Sequence, residues 1–418
     1  MLKNIFYAQS GGATAVINAT ACGVIEAARE NKDKIGKVLA GRYGIVGALQ
    51  EEIIDTSILS GTEVKALMYT PAAAFGSSRY KLKEFCSNRD QYYRLIEVFR
   101  AHHIGYFLYN GGGDSQDTAN KVCQFSQELG YPIACIGIPK TIDNDLPFTS
   151  SSPGFGSAAK YVAVSVREVG LDVASMATTS TQVFIIEVMG RHTGWIAAAS
   201  ALARKLEGQA PHIILFPEIE FRQENFIQKV HDAVKKFGYC VVVVSEGLKY
   251  PDGKFLTASN SQDPFGHHQL GGVAPILASI VKKYAKYKCH WAVADYLQRS
   301  ARHIASQVDI DQSYAVGRAA VDFAILGKTA TMPIIKRNSN VPYEWSIGEV
   351  SLRSIANVEV EIPRHYISRD GFDITVACKE YLMPLIQGQA YPPYKCGLPD
   401  YMQFNHKILE KKLKSFSV

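Results

Sequence analysis

The stretch Pro139-Lys140-Thr141-Ile142-Asp143-Asn144-Asp145 places two carboxylates at i and i+2 beside a lysine, directly after the apolar run 133–138. Transfer of a phosphoryl group to a sugar hydroxyl needs these residue types. A carboxylate takes the hydroxyl proton, cations hold the moving phosphoryl, and magnesium neutralises its charge. Asp143 and Lys140 supply the first two. An Asp-Asn turn with a surface lysine would look the same in isolation. The recurrence of glycine or acidic turns after other apolar runs weighs against that plainer reading.

Three such turns recur. Gln9-Ser10-Gly11-Gly12-Ala13-Thr14 follows the run 5–9 and frees backbone N–H groups where a helix begins, a natural seat for an anion. Paired glycines serve equally as a plain strand-to-helix turn. Asn110-Gly111-Gly112-Gly113-Asp114-Ser115 follows the run 106–109 and carries an acid, which suggests a metal-bridged phosphate, with a helix N-cap as the competing reading. Glu187-Val188-Met189-Gly190-Arg191-His192 sends an arginine out of a buried run through a glycine. Its planar fork suits a phosphate, and equally a structural ion pair.

The elements that must position these turns alternate. Strand-like runs at 5–9, 38–40, 106–109 and 133–138 are interleaved with helical stretches at 16–30 and 116–129. A second set follows: helix 157–169, strand 182–188, helix 193–203, strand 212–216, helix 224–237 and strand 239–245. This rhythm predicts α/β architecture with two doubly wound parallel sheets, whose ligands sit beyond the carboxyl ends of the strands. Beyond about residue 346 the periodicity weakens into a segment rich in aromatics and prolines, expected to pack over the core without contributing chemistry.

At 418 residues, 47% of them hydrophobic, the chain has the length for two domains and the apolar content for a large core. Its longest apolar runs, such as 239–244, are strand-sized and too short for a membrane span. The amino terminus enters a strand without a secretory pattern, so a cytoplasmic location is expected. Eight scattered cysteines without a C-x-x-C pair read as reduced thiols. A net charge of +6 would help attract a small anion if the cations converge on a cleft. Lys282, Lys283, Lys286 and Lys288 form a solvated helix face rather than a patch for nucleic acid.

In order and spacing, the S-G-G turn, the glycine-acid turn, P-K-T-I-D-N-D, E-V-M-G-R and Ser245-Glu246-Gly247 resemble the phosphofructokinase family over roughly residues 1–335, and its pyrophosphate-dependent branch in particular. The resemblance implies two Rossmann-like domains with the active site in the cleft between them. Residues 1–150 would form the larger, donor-binding domain, completed by segments after about residue 290. Residues 151–290 would form the smaller domain with much of the sugar-phosphate site, 291–345 a return segment, and 346–418 an extension.

Residue by residue, the resemblance makes Asp143 the base for the sugar 1-hydroxyl, Asp145 its supporting acid and Thr141 a residue that steadies the phosphoryl group. Arg191 matches the arginine of the M-G-R turn, Met189 and Gly190 line the sugar site, and Glu246 contacts sugar hydroxyls. Gly12, Arg79 and Ser115 fall to the donor. Tyr296-Leu297-Gln298-Arg299 resembles the family's H-x-x-R grip on the 6-phosphate, with tyrosine for histidine as in the pyrophosphate enzymes. Gly266-His267-His268-Gln269-Leu270 looks similar but lacks the arginine.

Members of the family that use ATP carry glycine where this chain has Asp114 and Lys140, so the resemblance implies pyrophosphate as donor. A carboxylate at Asp114 would oppose the α-phosphate of ATP, while Lys140 offers a cation to the compact donor. The acid that usually holds Mg2+ in the ATP enzymes is Gly113 here. Either Asp114 serves both purposes, with Asp143, or Asp143 and Asp145 carry more of the metal. The implied partners are fructose 6-phosphate, pyrophosphate and further copies of the chain, as a homodimer or homotetramer. Lys288 and His290 are candidates for a cation lent to a neighbouring sugar site.

Overall fold

The computed structural model describes residues 2–257, 270–404 and 406–418. Positions 266–269 of the segment compared above with the 6-phosphate grip lie outside them. The apolar runs become strands because they carry branched and aromatic side chains on both faces, the pattern of a sheet covered by helices on each side. In chain order the strands are β1 (Asn4–Ser10), β2 (Val38–Gly41), β3 (Ile53–Asp55), β4 (Ser77–Ser78), β5 (Ile104–Gly111), β6 (Ala134–Pro139), β7 (Val183–Val188), β8 (Ile213–Leu215), β9 (Cys240–Ser245), β10 (Cys289–Val293), β11 (Thr331–Asn340) and β12 (Tyr343–Ser351). All six residues of β9 are buried.

Two sheets result. The larger runs β12-β11-β6-β5-β1-β2-β3, with β4 added at the end of β1. The smaller runs β10-β7-β9-β8 and is parallel throughout. In the larger sheet only the outer pairs β2–β3 and β11–β12 are antiparallel. Helices fill the connections, among them Ile17–Glu30, Gly113–Glu128, Phe155–Met176 and Gln223–Phe237. The helix expected over 157–169 runs on to Met176, and the one expected over 193–203 is α-helical only over Trp195–Ala199.

β3, β4, β10, β11, β12 and the short pair at Tyr394–Lys395 and Leu398–Pro399 were not anticipated. β10 is an edge strand buried only at Cys289, so it carries no core pattern. β11 is buried through Ile335 and then leaves the core as one arm of a hairpin, so its outer half lacks an apolar rhythm. β12 carries regular structure past residue 346, to Ser351. Beyond it Ile362, Ile367, Cys378 and Leu382 join the core around the smaller sheet, while Leu409, Leu413 and Phe416 pack against the larger. Lys282 and Lys283 are exposed in a single helical turn, Val281–Ala285, and Lys282 sits over the ring of Trp291. All eight cysteines are free thiols. Among the described residues no helix is long and apolar enough to cross a membrane.

One buried carboxylate ties the helix Gln307–Ile325 to the start of the helix Phe155–Met176. Asp309 is 2% exposed and accepts hydrogen bonds from the backbone N–H groups of Gly154 and Ser157, each at 2.8 Å. Its removal strands both donors in the interior. Asp309→Ala is therefore expected to destabilise the fold by about 2–4 kcal/mol, read as a lower midpoint of thermal unfolding. An unchanged midpoint would refute that role.

Candidate active site

Every turn singled out in the sequence stands at the carboxyl end of a parallel strand, and the turns meet in one cleft. β1 delivers Gly11 and Gly12, β4 delivers Arg79, β5 leads to Gly112–Ser115, and β6 leads to Lys140–Asp145. From the smaller sheet β7 delivers Met189, Arg191 and His192, and β9 delivers Glu246. The cleft encloses about 400 Å³, and its wall includes these residues, except Asn144, together with Arg299.

The cations gather around the first glycine turn. Lys140 is 5% exposed, and its ammonium donates to the carbonyl of Gly12 at 2.8 Å. Burial first, and then the charges of Arg79 and Arg299, lower its pKa to about 7. The absence of a side chain at Gly12 makes this crowding possible, since a Cβ there would stand 2.4 Å from Arg299 Nη1 and 3.6 Å from Arg79 Nη2. A buried ammonium beside two further cations, the half-buried Arg299 and the exposed Arg79, favours a bound anion.

The acids gather on the other side of Lys140. Asp143 is held by its own N–H, which donates to Thr141 Oγ1 at 3.0 Å, and by Thr193 Oγ1, which donates to its carbonyl at 3.0 Å. Burial, reinforced by Glu359, raises the pKa of Asp143. Asp145 is raised to about 7 by burial, then by Asp143 and Glu359, and Glu246 to about 7 by burial and then by Asp143. Opposed groups of this kind, cations beside carboxyls of raised pKa, are how sites prepare for phosphate binding and proton transfer together.

The Met-Gly-Arg turn is fixed by close backbone approach. Gly190 has φ of 134° and its N–H faces Glu246 Oε1 at 3.4 Å, while a Cβ at Gly247 would lie 1.9 Å from the carbonyl of Arg191. The N–H of Met189 donates to the buried Gln298 at 3.3 Å, which links this turn to the short helix bearing Arg299.

Not every residue named from the sequence faces the cleft. Tyr296 is 59% exposed and absent from the wall, with its ring stacked against the Arg299 guanidinium at 3.7 Å. Gly190 serves through its backbone. Ser115 lines the cleft while its hydroxyl donates to Ser10 Oγ at 2.8 Å. Arg299 enters beside Gly12 and Arg79. Asp114 lies on the wall and is ion-paired to Lys81 at 2.5 Å.

Sequence reasoning missed Lys81 and the segment Asn357-Val358-Glu359, all of which line the cleft. The expectation that the chain beyond residue 346 contributes no chemistry therefore needs correcting. After β12 the chain turns back over the cleft, where Glu359 pairs with His192 at 2.6 Å and the N–H of Val360 donates to the carbonyl of Asp145 at 2.8 Å.

Among the described residues no cluster of three or more His, Cys, Asp or Glu side chains is arranged to cage a metal ion. Mg2+ characteristically takes one or two carboxylates and completes its shell with water and substrate phosphates. The buried Oδ1 of Asp145, which lacks a hydrogen-bond partner, is an atom such an ion would satisfy.

The profile of the phosphofructokinase family matches residues 4–324, the greater part of the chain. The chain belongs to the phosphofructokinase family. Among curated relatives, the pyrophosphate--fructose 6-phosphate 1-phosphotransferase of Halomonas elongata is 58% identical over 415 residues, covering 99% of both chains. That of Methylococcus capsulatus is 59% identical over 417 residues, covering 100% of this chain and 99% of the relative. The crystal structure of a pyrophosphate-dependent phosphofructokinase from Nitrosospira multiformis matches with a TM-score of 0.93 at 57% identity, over 100% of each chain. The chain thus shares with those relatives the segment after residue 324, which the family profile does not reach.

Proposed function

We propose that this chain transfers a phosphoryl group reversibly between pyrophosphate and the 1-hydroxyl of fructose 6-phosphate, giving fructose 1,6-bisphosphate and phosphate. The observation that carries this reading is the buried Lys140, lodged between the Arg79–Arg299 cation knot and the Asp143–Asp145 turn, so that one side chain joins an anion seat to a base. Identity near 58% over the whole chain to relatives described as catalysing that transfer supports it.

In this reading Arg79, Lys140 and the backbone at Gly12 hold the donor, and Arg191 meets the moving phosphoryl with its fork. Thr141 steadies that group, Asp143 takes the proton from the 1-hydroxyl, and Asp145 supports it. Met189, Gly190 and Glu246 orient the sugar, and Arg299, stacked on Tyr296, reaches toward phosphate. Asp143 and Asp145 would hold Mg2+ together with phosphate oxygens, leaving Asp114 to its pair with Lys81. The ion supplies neutralisation of charge on the transferring group. The edge strand β10, with His290, Trp291 and Val293 exposed, supports assembly of further copies along the smaller sheet, near enough for Lys288 or His290 to be lent to a neighbour.

Purified protein given fructose 6-phosphate and Mg2+, with pyrophosphate and ATP in parallel reactions, tests the reading. Fructose 1,6-bisphosphate should form with pyrophosphate alone. Formation with ATP alone would overturn the donor, and formation with neither would overturn the activity.

A further inference from the structure

The turn that carries Asp143 and Asp145 is held through the residue between them. Asn144 has φ of 55°, a left-handed conformation that asparagine adopts more readily than most residues but that still needs fixing. Its side chain does the fixing. Asn144 Oδ1 accepts from the N–H of Ser152 at 2.9 Å, and Nδ2 donates to the hydroxyl of Tyr381 at 2.9 Å. Tyr381 in turn donates to the carbonyl of Ser150 at 2.6 Å.

Tyr381 is itself immobilised. Its ring lies 5.0 Å from that of Trp195 and stacks at 5.6 Å on Tyr366, and the Arg337 guanidinium stands 4.4 Å from its centroid. Arg337 Nη2 also donates to the Tyr381 carbonyl at 2.9 Å. Burial raises the phenol's pKa, so the hydroxyl stays protonated and remains a donor. A phenol with two bonded neighbours and a packed ring is a fixed anchor point, and it comes from a helix, Val376–Leu382, beyond the residues that the family profile matches.

We propose that Tyr381 is a positioning residue for phosphoryl transfer: through Asn144 it fixes the turn that presents the Asp143 carboxylate. The inference rests on the reading of Asp143 as base given under Proposed function. A base must sit within hydrogen-bond reach of the proton it takes, and small displacements are expensive. Loss of the Tyr381 hydroxyl leaves Asn144 Nδ2 and the Ser150 carbonyl without that partner and lets the turn relax.

Tyr381→Phe keeps the ring and removes only the hydroxyl. Its kcat should fall by about 10- to 100-fold, with both Michaelis constants within about two-fold of the unmodified protein's. A merely structural role would lower the thermal midpoint but leave kcat unchanged well below it. Tyr366→Phe, in the same aromatic cluster but without a bond to Asn144, should keep kcat within about two-fold. Asn144→Gly tolerates the positive φ and removes this bond together with the one from Ser152, so its loss should be at least as large. The double variant should then be no worse than the weaker single variant by more than about three-fold. A Tyr381→Phe protein with native kcat overturns the proposal. If that variant is insoluble, native kcat in Asn144→Gly overturns it instead. An unmodified protein inactive with pyrophosphate overturns the functional reading and this inference with it.

Discussion

Asp143→Ala is expected to lower kcat by about 10²–10⁴-fold while leaving the Michaelis constant for fructose 6-phosphate within about three-fold, because general base catalysis acts only on the proton in flight. The structure supplies the reason for the size. The carboxylate is half-buried, its turn is held by Thr141, Thr193 and Asn144, and nearby Lys140 and Arg191 oppose the upward push of desolvation on its pKa. The base must be ionised to work, and its pKa is raised, so kcat/KM in the unmodified protein should fall as pH drops, along a limb displaced upward from the ordinary carboxylate range. Asp145, pushed up to about 7 by burial and then by Asp143 and Glu359, shares that limb, and the pair titrates together. Steady-state kinetics across pH check both parts. A loss below ten-fold in Asp143→Ala, or an acid limb at the ordinary carboxylate position, would remove Asp143 from the role.

The cleft was legible where regular structure forced its residues together. Parallel sheets deliver their turns to one edge, so Gly12, Asp114, Lys140, Asp143, Arg191 and Glu246, each just after an apolar run, had to converge once the runs were read as strands. Lys81 escaped because it follows a two-residue strand in an irregular stretch, where periodicity says nothing. Glu359 and Tyr381 escaped for a different reason. Their contacts with His192 and Asn144 span 167 and 237 positions, through a segment whose aromatics and prolines read as packing. Nothing in composition distinguishes a tyrosine that fills a core from one that bolts down a catalytic turn. Tyr296 shows the reverse case, since likeness of motif placed it at a phosphate while its ring turns outward under Arg299.

Asp114→Gly combined with Lys140→Gly should lower kcat/KM for pyrophosphate by about a thousandfold and admit some turnover with ATP, because each residue acts on one side of the choice. Lys140 favours the compact donor. Its charge is suppressed by burial and by Arg79 and Arg299, with a pKa of about 7, so an arriving anion both binds it and restores its proton. The sign follows: the protonated form is the one that attracts pyrophosphate, so this contribution is present below pH 7 and declines as pH rises through that value. Pyrophosphate's own ionisation is common to every variant, and Lys140→Met should lack only the limb due to the lysine. Asp114 acts against the longer donor. It stands at the start of the helix Gly113–Glu128, on the cleft wall beside the turn that follows β1, and its pair with Lys81 holds it there. A polyphosphate chain extending past the second phosphate would meet a carboxylate in a partly desolvated cleft, a repulsion of several kcal/mol. Parallel kcat/KM measurements with pyrophosphate and ATP decide the matter. Full pyrophosphate activity in the double variant would show that donor choice lies elsewhere in the cleft, with Lys81 and Asn357 the next residues to change.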